Sequence, residues 1–143
     1  ARDQSAPVSR KLFATLFVTY ITGLLCLTLI IHLIGGLWYF LFYHQPSGRV
    51  YHWFDGNFDL VPDFFSHFSR ENLGNILMFL PFGVLYPLSR DHKSWRDTLW
   101  AGLMLILAIE LVQPVFGRSF DANDVILNFS GVLLSTGLFQ KSE

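Results

Sequence analysis

Charged residues are too few in this sequence for a water-soluble body of its size. Only 15% of the 143 residues are Asp, Glu, Lys or Arg, while 52% are hydrophobic. A domain this small exposes too much surface to be covered by so little polar sequence. A charge excess of either sign is also lacking, since ten basic residues face eleven acidic ones. That balance excludes the basic face a nucleic-acid partner requires. Cysteine is nearly absent: Cys26 is alone, which excludes an internal disulfide, and its apolar neighbours predict a small buried hydrophobe. No repeat, low-complexity tract or linker divides the chain, so residues 1–143 read as a single membrane domain.

What is present is long apolar runs. Leu12 to Ile34 is broken only by Thr15, Thr19, Tyr20, Thr22, Gly23, Thr28 and His32, and a run of this length spans a hydrocarbon core of roughly 30 Å. Arg10 and Lys11 resemble the charged start of a signal peptide, but the run is too long and lacks a small-residue cleavage pattern. Gly35-Gly36 is expected to loosen the helix before Trp38, Tyr39 and Tyr43, which suit the headgroup level. Asn72 to Ser89, interrupted by Pro81, Gly83 and Pro87, is a second span; Asp97 to Phe116 is a third; Asp124 to Phe139 is a short fourth. The expected fold is an all-α integral membrane protein with four transmembrane helices and both termini on one side. Arg2, Arg10, Lys11, Arg90, Lys93, Arg96 and Lys141 fall on that side and Arg49, Arg70 and Arg118 on the other. The positive-inside rule makes the first group, and both termini, cytoplasmic. In the first outer loop, Leu60, Val61, Phe64, Phe65 and Phe68 recur at helical spacing opposite Asp63, Ser66, His67 and Ser69. A short amphipathic interfacial helix starting near Pro62 is the expectation, with a loop packed on the bundle as the alternative.

Polar residues gather at the outer ends of three spans. Glu110 and Gln113 lie three apart near the end of span three; Asp121, Asp124 and Asn128 follow a spacing that shares one helix face; Arg118 lies between them. Asn75 sits about one turn inside span two. By rise per residue, Glu110 and Asn128 fall at a similar depth. A carboxylate within a span costs about 2.5 to 3.5 kcal/mol on insertion scales, which makes Glu110 a functional-site candidate. The plainer readings are an N-cap for Asp121 or Asp124, interhelical packing for Asn75 and Asn128, and interfacial anchoring for Arg118. Oxygens of Glu110, Asp121, Asp124 and Asn128 would suit a divalent cation such as Mg²⁺ or Ca²⁺, but no spacing forms a dedicated loop, and His44, His52 and His67 do not form a zinc motif. No cofactor or metal is therefore assigned. No nucleophile with an adjacent base is evident, so the residues lean away from catalysis.

These motifs resemble the VanZ-like family of small bacterial membrane proteins. The resemblance rests on "NILMFLPFG" with Asn75, Phe79, Pro81 and Gly83, on "IELVQ" with Glu110 and Gln113, and on "GRSFDANDVILNFSG" with Arg118, Asp121, Asp124, Asn128 and Gly131. It covers about residues 57 to 139. A small-residue stretch expected before the glutamate is represented in "LMLILAIE" by Ala108 alone. The resemblance implies a multi-pass protein of the cell membrane, of a type whose named member confers low-level resistance to teicoplanin, a lipoglycopeptide acting on the outer face. Three functions compete. In the first, an outward polar pocket formed by Asn75, Glu110, Gln113, Arg118, Asp121, Asp124 and Asn128 binds a lipid-linked headgroup, such as that of a cell-wall precursor, or an antibiotic. In the second, an intramembrane enzyme uses Glu110 or Asp124 as acid/base on such a lipid. In the third, the chain packs into a larger membrane complex.

Overall fold

The computed structural model describes residues 8–43, 58–66, 68–91, 94–116 and 118–142. Arg2, Arg49 and Lys93 of the charge count, and His44, His52 and His67, lie outside them. The chain is helical. α1 (Val8–Leu25), a wider-wound segment (Cys26–Ile30) and α2 (Ile31–Tyr43) form one rod, followed by α3 (Arg70–Leu88), α4 (Trp95–Val112) and α5 (Ala122–Ser142). β1 (Phe58–Asp59) and β2 (Phe120–Asp121) pair in parallel, Phe58 with Phe120 and Asp59 with Asp121.

Among the described residues, three helical stretches are long and apolar enough to cross a membrane: Val8–Trp38, Trp95–Phe116 and Ala122–Lys141. α3 is not among them, because Arg70, Glu71, Asn72, Asn75 and two prolines dilute its apolar residues. It is the central helix, touching α1, α4 and most extensively α5, and so presents less of itself to the surroundings. The first rod continues through Gly35-Gly36 without a break. Its departure from α-geometry comes earlier, at Cys26–Ile30, and Cys26 is half-buried rather than in the core. The threonines that interrupt its apolar run have their hydroxyls satisfied within the helix. Thr15, Thr19, Thr22 and Thr28 each donate to the carbonyl four residues back, at 2.9 to 3.0 Å, which lets a polar side chain sit in an apolar surrounding.

The core is Leu24, Phe79, Phe82, Ile106, Ile109 and Val132. Phe17 meets Phe82 and Tyr86 edge-on at 5.5 and 5.6 Å, which docks α1 on α3. Near the Pro81 turn, where the proline leaves the Leu77 carbonyl without its helical donor, the Tyr20 hydroxyl donates to the neighbouring Met78 carbonyl at 2.8 Å. α3 and α5 run in the same direction at very close range. A Cβ on Gly131 would collide with the Ile76 carbonyl oxygen, and one on Gly83 would meet the Ser135 hydroxyl and, at 2.7 Å, the Thr136 backbone nitrogen. Glycine at both places lets the backbones touch, as membrane helix pairs require where no hydrophobic drive joins them. α4 meets α5 closely at Gly102, opposite Val132. The close contact is thus carried by Gly102, while Ala108 is exposed.

The segment before α3 does not form the amphipathic helix that its spacing predicts. Residues 60–63 are irregular and Phe64–Ser66 make a single turn, closed by the Ser66 amide donating to the Asp63 carbonyl at 2.8 Å. The cause is a set of side chains that take the backbone donors a helix would need. Asp59 accepts from the Val61 amide at 3.1 Å. Asn123 of α5 accepts from the amides of Asp63 and Phe64 at 3.0 and 3.3 Å and donates to the Asp63 carboxylate at 2.8 Å. Pro62 also disfavours helical geometry at Val61.

Candidate functional site

Charge separates along the bundle. At one end are Arg10, Lys11, Arg90, Arg96 and Lys141, with Arg10 paired to Asp91. At the other, Asp59, Asp63, Glu71, Asp121 and Asp124 outnumber Arg70 and Arg118 among the described residues. The polar cluster lies at this acidic end. A mostly apolar groove of about 320 Å³ lined by Trp95, Arg96, Leu99, Trp100, Leu103 and Phe129 lies toward the opposite end and takes no part in it.

Asp124 is the junction. It lies in the first turn of α5, where it accepts a hydrogen bond from the Asn75 side chain of α3 and pairs with the Arg118 guanidinium at 3.5 Å. This arrangement departs from the N-cap reading of Asp124. The cap is Asp121, whose carboxylate accepts from the Asn123 amide at 2.7 Å, as an N-cap residue does. Asp121 is also the last residue of β2, so the strand pair sets its position.

Glu110 and Gln113 form the buried floor. They are 1% and 2% exposed, and the Gln113 carboxamide donates to Glu110 at 3.5 Å. Gln113 begins the 3-10 turn (Gln113–Phe116) that ends α4, and Pro114 within it cannot extend the α-helical ladder. The Arg118 amide then donates to the Gln113 carbonyl at 3.2 Å, folding the loop back over the helix end. The wide segment of the first rod packs on this 3-10 turn, so all four long helical elements border the cluster. Asp124, Arg118 and Asp121 lie within electrostatic range of the Glu110 carboxyl group.

Glu110 shares a level with Asp124 rather than with Asn128. Gly102 abuts Val132; Glu110 lies eight residues beyond the first and Asp124 eight residues before the second, so antiparallel helices bring the two acids to one height. Asn128 is about one turn deeper and 4% exposed. Three buried oxygens here have no hydrogen-bond partner: Glu110 Oε2, Gln113 Oε1 and Asn128 Oδ1. Among the described residues no three His, Cys, Asp or Glu side chains converge on one point.

The structure therefore joins Asn75, Arg118 and Asp124 directly, couples Glu110 to Gln113 beneath them, gives Asp121 a capping position, and sets Asn128 lower. Sequence reasoning missed Asn123, which ties residues 63 and 64 to α5, and Tyr20, whose hydroxyl joins α1 to α3. Neither has a local signal: the partner of each lies about sixty residues away. The small-residue spacing of Gly131 and Ser135 was the available sign of a close helix pair.

Comparison with known proteins adds a family. The family model described as VanZ/LLP1 matches residues 17–141. A curated relative, "Protein VanZ" of Enterococcus faecium, is 27% identical over 113 residues, covering 78% of this chain and 70% of the relative. No solved structure matches.

Proposed function

This chain belongs to the VanZ/LLP1 family of membrane proteins, and from that membership we propose that it is a non-catalytic binding protein of the bacterial cell membrane that lowers teicoplanin susceptibility. The acidic end faces outward and carries a polar pocket, floored by Glu110 and Gln113 and rimmed by Arg118, Asp121 and Asp124. The pocket engages a lipid-linked headgroup or an amphiphilic antibiotic at the outer leaflet. The single observation behind this reading is the buried Glu110 carboxyl group, one of whose oxygens has no partner. Burying such a group without a partner costs free energy, and ionisable side chains inside membranes are rare and characteristic of functional sites.

Four spans with both termini cytoplasmic fit this reading. The parallel course of α3 beside α5, from Asn75–Asp124 to Gly83–Ser135, supports α3 as the second span, and the basic end agrees with the positive-inside rule. In a Cys26→Ser background, a membrane-impermeant thiol reagent applied to intact cells should label Ser119→Cys and spare Gln140→Cys. The reverse pattern would invert the topology and remove the pocket from the outer leaflet.

The function is tested in a teicoplanin-susceptible bacterial host expressing the chain. Glu110→Gln and Asp124→Asn keep side-chain volume while removing charge, and both should return the minimum inhibitory concentration to that of cells lacking the protein, at unchanged membrane levels. Full protection by both variants would sink the proposal.

A further inference from the structure

The unmet groups of the cluster are all of one kind. Glu110 Oε2, Gln113 Oε1 and Asn128 Oδ1 are buried and unpartnered, and each is an acceptor. The side-chain amides nearby are engaged, that of Gln113 on Glu110 and that of Asn75 on Asp124, and the Arg118 guanidinium is turned to Asp124. Charge is unbalanced in the same sense. Three carboxyl groups, Glu110, Asp121 and Asp124, face one guanidinium, Arg118, and Glu71 adds to the negative field at Asp124. An anion would worsen both imbalances, and a neutral acceptor would leave both standing.

The occupant that corrects both is positively charged and carries several N–H donors. We infer that this pocket takes a primary ammonium group, which enters past Arg118 and donates to Glu110 and the neighbouring amide oxygens. A primary ammonium offers three donors, enough to serve Glu110 Oε2 and the adjacent Gln113 Oε1, with Asn128 Oδ1 about one turn deeper. A quaternary ammonium has the charge without the donors. Among the described residues no three Asp, Glu, His or Cys side chains converge on one point, whereas an ammonium donates to carboxylate and amide oxygens alike. The group to be passed is the Arg118 side chain, which is 37% exposed and meets Asp124 through one 3.5 Å contact. This inference rests on the outward pocket proposed above and names the chemistry of its ligand. The ammonium has two sources, an aminophospholipid of the outer leaflet or a free amine or amphiphile arriving from solution.

The test uses the full chain in nanodiscs of phosphatidylglycerol, alone or with one-third phosphatidylethanolamine or one-third phosphatidylcholine, and follows thermal unfolding. Binding to the folded state raises the midpoint. A rise of a few degrees is expected with phosphatidylethanolamine and none with phosphatidylcholine. Ethanolamine added to phosphatidylglycerol discs separates the sources: a rise there assigns a free amine, and its absence beside a lipid effect assigns the headgroup. Glu110→Gln should abolish the ammonium-dependent rise, and Gln113→Leu, which removes one acceptor and keeps the carboxyl group, should reduce it. Equal responses to the two lipids without any response to ethanolamine, or a rise undiminished in these variants, would overturn the inference. Loss of teicoplanin protection in Glu110→Gln without any ammonium effect leaves the pocket standing and removes its ligand; a Glu110-dependent ammonium effect with protection intact does the opposite.

Discussion

Gly131→Val should unfold the α3–α5 pair and leave little folded protein. A Cβ at Gly131 has no space to occupy: its nearest neighbours are the Ile76 carbonyl oxygen and carbon, the latter at 3.2 Å, and the Phe79 Cβ at 3.3 Å. Two of these are backbone atoms of a helix, which cannot rotate aside as a side chain can. The helices must separate, which also strains the Gly83 contact with Thr136 and the hydrogen bond from Asn75 to Asp124. Overpacking a tight site costs typically about 1 to 3 kcal/mol; with a branched side chain against backbone, the expected cost is about 3 kcal/mol or more. Gly137→Val, on the same helix but with open space around the added Cβ, should cost well under half as much. Unfolding in mixed micelles by increasing dodecyl sulfate gives both values. Equal losses would mean that α3 and α5 do not meet through Gly131.

Asp124→Leu should have the second largest effect on stability, and its origin is separable. The substitution deprives the Asn75 amide of its acceptor and Arg118 of its counter-charge, while Asp121 still caps the helix. A stranded polar group costs about 1 to 3 kcal/mol, whereas interhelical hydrogen bonds within membranes average about 0.6 kcal/mol with a ceiling near 1.7. The expected loss is therefore about 2 kcal/mol. Asn75→Leu alone should cost about 1 kcal/mol. The double variant should fall short of the sum by about 1 kcal/mol, because removing both partners leaves less unsatisfied than removing one. Strict additivity in the same assay would show that the two side chains do not act together.

Both predictions concern contacts between residues far apart in the chain, and that is where the sequence is least legible. The residues nearest the contacts were identifiable: Asn75, Glu110, Gln113, Arg118, Asp121, Asp124 and Asn128 stand out because polar groups are rare in apolar spans, and each such group has a large desolvation cost. The location of the helices is readable for a similar reason, since an apolar run of fixed length is demanded by the bilayer. The loop at residues 60–66 was misread because a helical spacing of apolar residues describes one face of a segment and not the fate of its backbone donors. Those donors go to Asp59 and Asn123.

By itself, then, the sequence determined that this is a helical protein of membrane type, where its long apolar stretches lie, and which polar groups cluster toward one end. Composition and hydropathy suffice for that, because the surrounding medium imposes them residue by residue. Tertiary structure alone decided how those groups divide their work: Asp121 caps while Asp124 joins α3 to the arginine loop, Asn123 holds the segment at Asp63 and Phe64, and Glu110 reaches the level of Asp124 with an oxygen unpaired. These outcomes follow from the parallel pairing of β1 with β2 and the glycine contacts of α5 with α3. Pairings between distant segments depend on helix register and backbone approach, which no local pattern in the chain encodes.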